Sequence, residues 1–452
     1  MTRLEAKLAE TSRPATAQIE YGAAKQLTTK EANRVALGAL IGTAMEWYDF
    51  FLFSAAAAIV FNVQYFNTEN ATAAALSSFA TFGVGLAARP IGGLIFGHLG
   101  DRIGRRKILM ITIVGIGVVT GLIGLLPTYE AIGIAAPILL VLLRIGQGLF
   151  VGGEWAGAMT IVVENAPLEK RAVYAAIPQI GSPIGTILSS GAFFVLALWL
   201  SQENFDAWGW RIPFVAAIPL LLVAVWIRSK LEESPVFEEL LEQGETDQSP
   251  VSSTLRGYWK HIIVGMAAGF LGIGGFYLVT AFVVWYGVTH LDYSREIMLL
   301  GGMVAAAVEI PVLILAGRAG AKFGASKVIL WGGIGSALLA WPSFLMIESG
   351  NGFLIVLGMT VAVAALSVSY AASGTVLTGL FPAKYRYTGV GMAQNTAGML
   401  SGFIPMIATA LVASAANHWW PAAAVLAFLS LFTAASALLS PRMSVDLPGF
   451  RH

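Results

Sequence analysis

Apolar runs of about 20 residues, the length a helix needs to cross a bilayer, recur along this chain and leave little sequence between them. They lie near 35–62, 75–97, 108–127, 134–163, 172–199, 211–229, 261–287, 298–318, 327–347, 353–380, 387–414 and 419–440. A chain immersed in hydrocarbon must satisfy its backbone N–H and C=O groups internally, which for segments of this length means α-helix. Gly and Pro recur inside the runs, as membrane helices tolerate. Only 12% of the residues are charged, against about 25% in soluble domains. The expected fold is therefore an all-α integral membrane protein with twelve transmembrane helices.

Lys and Arg orient it. Of the 27 basic residues, 23 lie in the N-terminal tail, the even-numbered connections and the C-terminal tail. Two, Arg211 and Arg295, lie in odd-numbered connections, and two, Arg89 and Arg144, at membrane depth. The positive-inside rule then puts both termini in the cytoplasm. A missed span would scramble this alternation, so the bias also supports the count of twelve. Residues 1–34 are polar and lack the apolar core of a cleavable signal peptide.

The chain also repeats itself. Gly97–Lys107 reads GHLGDRIGRRK, and Gly317–Lys327, 220 residues later, reads GRAGAKFGASK. Pro167 and Arg171 are spaced like Pro382 and Arg386, at an offset of 215. Two matches at nearly one offset predict two homologous six-helix halves. The expected organisation is a tail over 1–34, a six-helix bundle over 35–229, a polar, acidic cytoplasmic linker over 230–260, a second bundle over 261–440 and a tail over 441–452. Ser234 and Pro235 predict a short helix near 235–241 in the linker.

Two parallel halves suggest a transporter with its site between them near the midplane. Enzymatic chemistry lacks its residues. There is no cysteine, and His98, His261, His290, His418 and His452 are scattered. Neither HExxH nor a Walker A pattern occurs. No cofactor, metal or nucleic-acid partner is expected; the partners are the bilayer, a small organic anion and the proton, and the protein is expected to be a monomer.

In GHLGDRIGRRK, Gly97 and Gly104 permit a tight turn and close helix approach. Asp101 can pair with an arginine and face a helix N-terminus, which carries partial positive charge. With Arg102, Arg105 and Arg106 it is expected to form a cytoplasmic gate; the plainer alternative is a basic loop that sets topology. The second copy carries Ala321, Ala325 and Ser326 where Asp101, Arg105 and Arg106 stand, which predicts a weak second latch.

Charges at membrane depth are the chemical signal, because charge in hydrocarbon costs several kcal/mol unless paired or used. Glu46 and Asp49 are three residues apart and share a helix face. Glu46 lies twelve residues beyond Arg34, and Arg89 twelve before Asp101, about 18 Å at 1.5 Å per residue. Arg144 and Glu154 stand ten apart on the fourth run. A carboxylate that alternates between apolar and arginine-lined surroundings takes up and releases a proton. Two deep arginines suit a planar carboxylate, which guanidinium binds in bidentate fashion. Equally, each arginine can simply neutralise Glu46, Asp49 or Glu154. Glu309, before Pro311, is the carboxylate clearly within a span of the second half, with structural and coupling roles both open. Tyr48, Gln179, Tyr277, Gln394 and Asn395 are expected to contact substrate hydroxyls. Trp155, Trp285 and Tyr370 suit a pocket or a core equally. Gly115, Gly117 and Gly181–Gly185 read as helix-contact faces.

The chain resembles the metabolite:proton symporter branch of the major facilitator superfamily over about 30–440. The resemblance is carried by EWYDFFLF (46–53), RPIGGLIFGHLGDRIGRRK (89–107), RIGQGLFVGGEWAGA (144–158), WGWRIPF (208–214), EESPVFE (232–238) and RYTGVG (386–391). Within the branch it is most similar to bacterial shikimate permeases, through FATFGVG (79–85), APILLVLLRIGQG (136–148), YLVTAF (277–282) and KYRYTGVG (384–391). The resemblance implies a multi-pass inner-membrane proton symporter that imports a small organic acid or zwitterionic osmolyte by alternating access. The family's second-helix arginine falls on Arg89, and its first-helix acids on Glu46 and Asp49. The expected reading is import of a hydroxylated carboxylate such as shikimate. Arg89 or Arg144 holds its carboxylate, and Glu46, Asp49 or Glu154 carries the proton. A betaine or proline carrier, a dicarboxylate carrier, a receptor without flux and a drug exporter are the rivals. The dozen residues after the last run weigh against an osmosensing tail.

Overall fold

The computed structural model describes residues 29–66, 70–103, 105–152, 159, 162–163, 166, 170–229 and 250–444. The described residues are helical apart from short connections. In chain order the long helices are α1 (Thr29–Ala56), α2 (Ala71–Ile103), α3 (Arg105–Leu125), α4 (Ala135–Val151), α5 (Arg171–Trp199, interrupted at Ile180), α6 (Ile212–Ser229), α7 (Pro250–Phe270), α8 (Arg295–Phe323), α9 (Ala325–Ile347), α10 (Gly352–Gly379), α11 (Ala383–Ser401) and α12 (Trp420–Met443). Among the described residues nine helices are long and apolar enough to cross a membrane; Ile111–Leu125 and Ala135–Val151 are shorter apolar helices.

Helix ends follow capping chemistry. The Ser294 side chain accepts from the Ile297 amide at the start of α8. Asn351 accepts from Phe353 and Leu354 at the start of α10, each satisfying an amide that a helix end leaves unpaired. Gly324, at φ 98°, makes the turn between α8 and α9, a conformation that a side chain disfavours. Gly97–Ile103 closes α2 and Arg105–Lys107 opens α3, with residue 104 outside the described residues. One expectation shifts here. Residues 250–260, read as linker, form the first turns of α7, which bends at Tyr258 (φ −127°, ψ 20°). The remaining linker, including 235–241, lies outside the described residues.

Three π-helical turns interrupt the ladder, at Ala57–Phe61, Leu271–Gly275 and Leu278–Phe282. Hydroxyls from neighbouring helices enter the first two. Ser78 of α2 donates to the Ala57 carbonyl at 2.8 Å. Thr433 of α12 donates to the Ala267 carbonyl at 2.7 Å and accepts from the Leu271 amide at 3.1 Å. Inserted polar groups of this kind shift helix register.

The burial pattern inverts that of a soluble protein. Leu338 and Trp331 are 71% and 68% exposed, whereas Arg144 is 0% exposed. Apolar surface faces outward and the chemistry faces inward, as hydrocarbon solvent demands. Hydroxyl pairs stitch the helices, Ser430 to Ser336 at 2.9 Å and Ser326 to Ser440 at 2.9 Å. Ser326 stands in the second signature loop, so that loop is tied to α12. Helices from the two ends of the chain meet as α2 on α11, and as α5 on α8 and α10. Arg295, at the start of α8, pairs with Asp206 at 2.8 Å across the same divide.

The α2–α4 crossing is backbone on backbone. A Cβ at Gly92 would overlap the Leu149 carbonyl, one at Gly148 the Gly85 carbonyl, and one at Gly152 the Arg89 carbonyl. Backbone cannot rotate away, so Gly148→Val is expected to cost at least the upper end of the roughly 1–3 kcal/mol typical of overpacking. A Cβ at Gly335 meets nothing within 4 Å, so Gly335→Ala is expected to hold or raise the melting temperature, since Ala favours helix by up to about 1 kcal/mol over Gly. Thermal unfolding of the purified variants in detergent checks both.

Candidate functional site

The site grows from one stripe of α1. Glu46, Asp49, Phe50 and Phe53 recur at three- and four-residue spacing and so share a face. All four are buried. Arg89 reaches this stripe from α2 and forms an ion pair with Glu46, its Nη2 donating to Glu46 Oε1. The Arg89 guanidinium also lies over the Phe50 ring, 4.0 Å from its centroid.

Asp49 is held differently. Gln147 Nε2, on α4, donates to both Asp49 oxygens at 2.7 and 2.6 Å. Thr120 Oγ1, on α3, donates to Asp49 Oδ1. The other end of the same amide, Gln147 Oε1, accepts from Arg144 Nη1. Arg144 therefore reaches Asp49 through Gln147 rather than directly. Its guanidinium lies over Phe53, Phe50 and Phe82, at 4.1, 5.0 and 5.2 Å from their centroids. Phe50 is thus shared by both arginines, a cation–π arrangement that strengthens when water is excluded. Gly85 leaves room for the Arg144 stem, which a Cβ there would strike. Arg144 Nε and Nη2 have no acceptor among the described residues, although both are buried.

Opposite this cluster stands an aromatic wall. Tyr277 lies between the second and third π-turns, edge-on to Phe82 at 4.9 Å and to Phe51 at 6.1 Å. Trp47 stacks on Phe51 at 5.2 Å. The hydroxyls of Tyr277 and of Tyr370 on α10 are buried without a partner among the described residues. Gln179, where α5 breaks, donates to the Tyr370 carbonyl at 3.3 Å and to Ser373 Oγ at 3.4 Å. Its Oε1 has no partner among the described residues. Arg89 also approaches Gly398 of α11, and Asn395 of α11 approaches Gly93 of α2.

The structure thus joins Glu46 to Arg89, and Asp49 to Arg144, with Tyr277 and Gln179 on the facing helices. Tyr48 turns away: its hydroxyl donates to the Pro213 carbonyl at 2.8 Å on α6, so its proton is engaged. Gln394 lies beside Gly269 of α7, at the α7–α11 contact rather than in the cluster. Glu154 and Trp155 lie outside the described residues. Asp101, Arg102, Arg105 and Arg106 are described as helix, but their side chains are not. Trp285 packs edge-on to Phe79 at 6.2 Å. Gln147 and Thr120 are the residues that the sequence reading missed. Gln147 had a signal, standing three residues after Arg144 on one face; a lone Thr in an apolar helix had none. Among the described residues no group of three His, Asp or Glu side chains converges as metal ligands.

Chemically, the arrangement can tie the protonation of Asp49 to the donors of Arg144. Asp49 as a carboxylate accepts from both Thr120 and Gln147. A protonated Asp49 would surrender acceptor capacity, loosen the Gln147 amide and so change what Arg144 donates to.

A model of the Major Facilitator Superfamily matches residues 39–318. The chain is 37% identical to the shikimate transporter of Escherichia coli K12 over 417 residues, covering 91% of this chain and 95% of that protein. It is 33% identical to the proline/betaine transporter of the same strain over 396 residues, 85% of this chain and 78% of that protein. The crystal structure of a D-xylose-proton symporter matches with a TM-score of 0.70, covering 90% of this chain and 97% of that chain, at 21% identity. Likeness at that identity speaks to the fold alone.

Proposed function

We propose a substrate class and a coupling scheme from one premise: the chain belongs to the Major Facilitator Superfamily. It is a transporter rather than an enzyme, and a multi-pass protein of the inner membrane. Our reading is a proton-coupled importer of a small hydroxylated carboxylate, shikimate or a near relative, working by alternating access. Twelve spans, in six-helix units over 35–229 and 261–440 with both termini cytoplasmic, are the topology that goes with it, and a monomer is the working unit. Asp101, Arg102, Arg105 and Arg106 are the proposed cytoplasmic gate.

The observation that carries this reading is Arg144, a buried guanidinium whose Nε and Nη2 have no acceptor among the described residues. A substrate carboxylate would satisfy these donors with charge-assisted hydrogen bonds. Arg89 is the second candidate anchor. Tyr277, Gln179, Asn395 and Gln394 are proposed for the hydroxyls, and Tyr48 only as an acceptor. Asp49, through Gln147, is the favoured proton carrier; Glu46 and Glu154 are the others.

A second reading has its own support. Trp47, Phe51, Phe276 and Tyr277 form a run of ring contacts, and aromatic faces attract quaternary ammonium groups. A zwitterion such as betaine would then set its cation there and its carboxylate on Arg144.

Uptake of radiolabelled shikimate into liposomes under an inward proton gradient, with unlabelled betaine and proline as competitors, separates the two. We expect shikimate to accumulate and betaine not to compete. Arg89→Ala is expected to abolish uptake while the protein is still produced. Failure of every organic acid to enter would overturn the proposal, and competition by betaine would favour the second reading.

A further inference from the structure

Glu309 is a buried acid that the Asp49 and Glu46 networks do not use. It stands at the middle of α8, fifteen residues before the Gly324 turn, and is 0% exposed. Among the described residues neither carboxyl oxygen has a hydrogen-bond partner. Ser367 of α10 stands close enough to act on the carboxyl, and its hydroxyl donates to the Val363 carbonyl at 2.7 Å. While it does so, that proton is not available to Glu309. Tyr370, one turn further along α10, is within electrostatic reach of Glu309, Tyr277, Glu46 and Arg89. α5, α9 and the helical segment Val283–Thr289 also pack on α8; among the described residues none of them brings a charged group to Glu309.

An ionised carboxylate with no cation and no donor would be an isolated charge in an apolar interior. Such a charge costs far more than protonation does. We propose that Glu309 is a second proton-binding site, holding a carboxylic acid in this arrangement and losing its proton when the helices carrying Tyr370 and Gln179 move. The step is proton binding alone: the carboxylate takes a proton from water on one side and releases it to water on the other. The Tyr370 hydroxyl, which lacks a partner among the described residues and is within electrostatic reach of Glu309, does not bond the acid in this arrangement; a shift of α10 against α8 would let it accept from the acid or donate to the carboxylate. Because Gln179 bonds the Tyr370 carbonyl and Ser373, rearrangement of α5 against α10 would alter the surroundings of Glu309. Protonation there would thus be tied to the contact between the two ends of the chain.

The inference rests on the proton coupling proposed above, and its test separates the two. Glu309→Gln imitates the protonated acid permanently. In liposomes it is expected to keep solute exchange between two loaded compartments, while carrying fewer protons per solute than the wild type and accumulating less against a gradient. Proton-to-solute ratios come from the membrane potential that just cancels uptake. Should Glu309→Gln fail to fold, Glu309→Asp keeps an acid at a changed depth and is expected to displace the pH profile of uptake. An unchanged ratio in Glu309→Gln, or an unchanged pH profile in Glu309→Asp, overturns this inference alone. A wild-type protein that moves solute without any protons overturns it together with the proposed coupling.

Discussion

Arg144→Lys is expected to reduce uptake by roughly 100-fold or more while leaving a folded protein. Lysine keeps the positive charge near Asp49, so the charge balance of the core survives. It cannot keep the geometry. Arg144 donates to Gln147 while its guanidinium carbon lies over Phe53, Phe50 and Phe82. An ammonium is a point charge without a planar fork and cannot stack in this way. It would also lose a bidentate hold on a substrate carboxylate. Each hydrogen bond to a charged group contributes about 1.5–3 kcal/mol, and about 2.7 kcal/mol is 100-fold in binding. Arg144→Ala is more severe, because Asp49 loses its nearby cation, and breaking a buried pair costs about 3–5 kcal/mol. Radiolabelled uptake and thermal unfolding, measured on the same preparations, check both variants. Wild-type uptake by Arg144→Lys would remove the guanidinium from the site.

The Glu46–Arg89 pair is the second large effect. Either Glu46→Gln or Arg89→Gln leaves a buried charge without its partner, at an expected cost of about 3–5 kcal/mol. The double variant Glu46→Gln/Arg89→Gln removes both charges and keeps the shapes. It is expected to recover most of the lost stability, as neutral replacements of buried pairs commonly do. It is not expected to recover transport. The coupling read from the unfolding cycle should therefore be large and opposite in sign to the sum of the singles. Strict additivity would mean that the two side chains do not depend on each other.

The charges at depth were legible because this chain has so few. Glu46, Asp49, Arg89 and Arg144 each broke a long apolar run, and counting rise from the basic borders put Glu46 and Arg89 at similar depth. Which acid meets which arginine was not legible. That depends on helix rotation, set by the glycine contacts between α2 and α4 and by neighbours far along the chain. Gln147 is the instructive case. As an amide it can both accept from Arg144 and donate to Asp49, so it bridges two charges whose pairing the sequence left open. Phe50 and Phe53 drew no role from the sequence, yet they are the surface on which the guanidinium groups lie. The π-turns flanking Tyr277 had no local signal, because one of them is imposed by Thr433 of α12, more than 150 residues away. The polar stretch over 250–260 read as linker because composition alone does not distinguish an exposed helical turn from a loop.

The central claim is that solute movement and proton movement are one event, joined through the Asp49–Gln147–Arg144 chain. Shikimate added to the outside of protein-loaded liposomes, with no pH gradient imposed, tests it in a single trace of external pH. The account predicts that the medium turns alkaline as shikimate enters, and that Arg144→Lys leaves the trace flat. Shikimate accumulating inside with no change in external pH would contradict it.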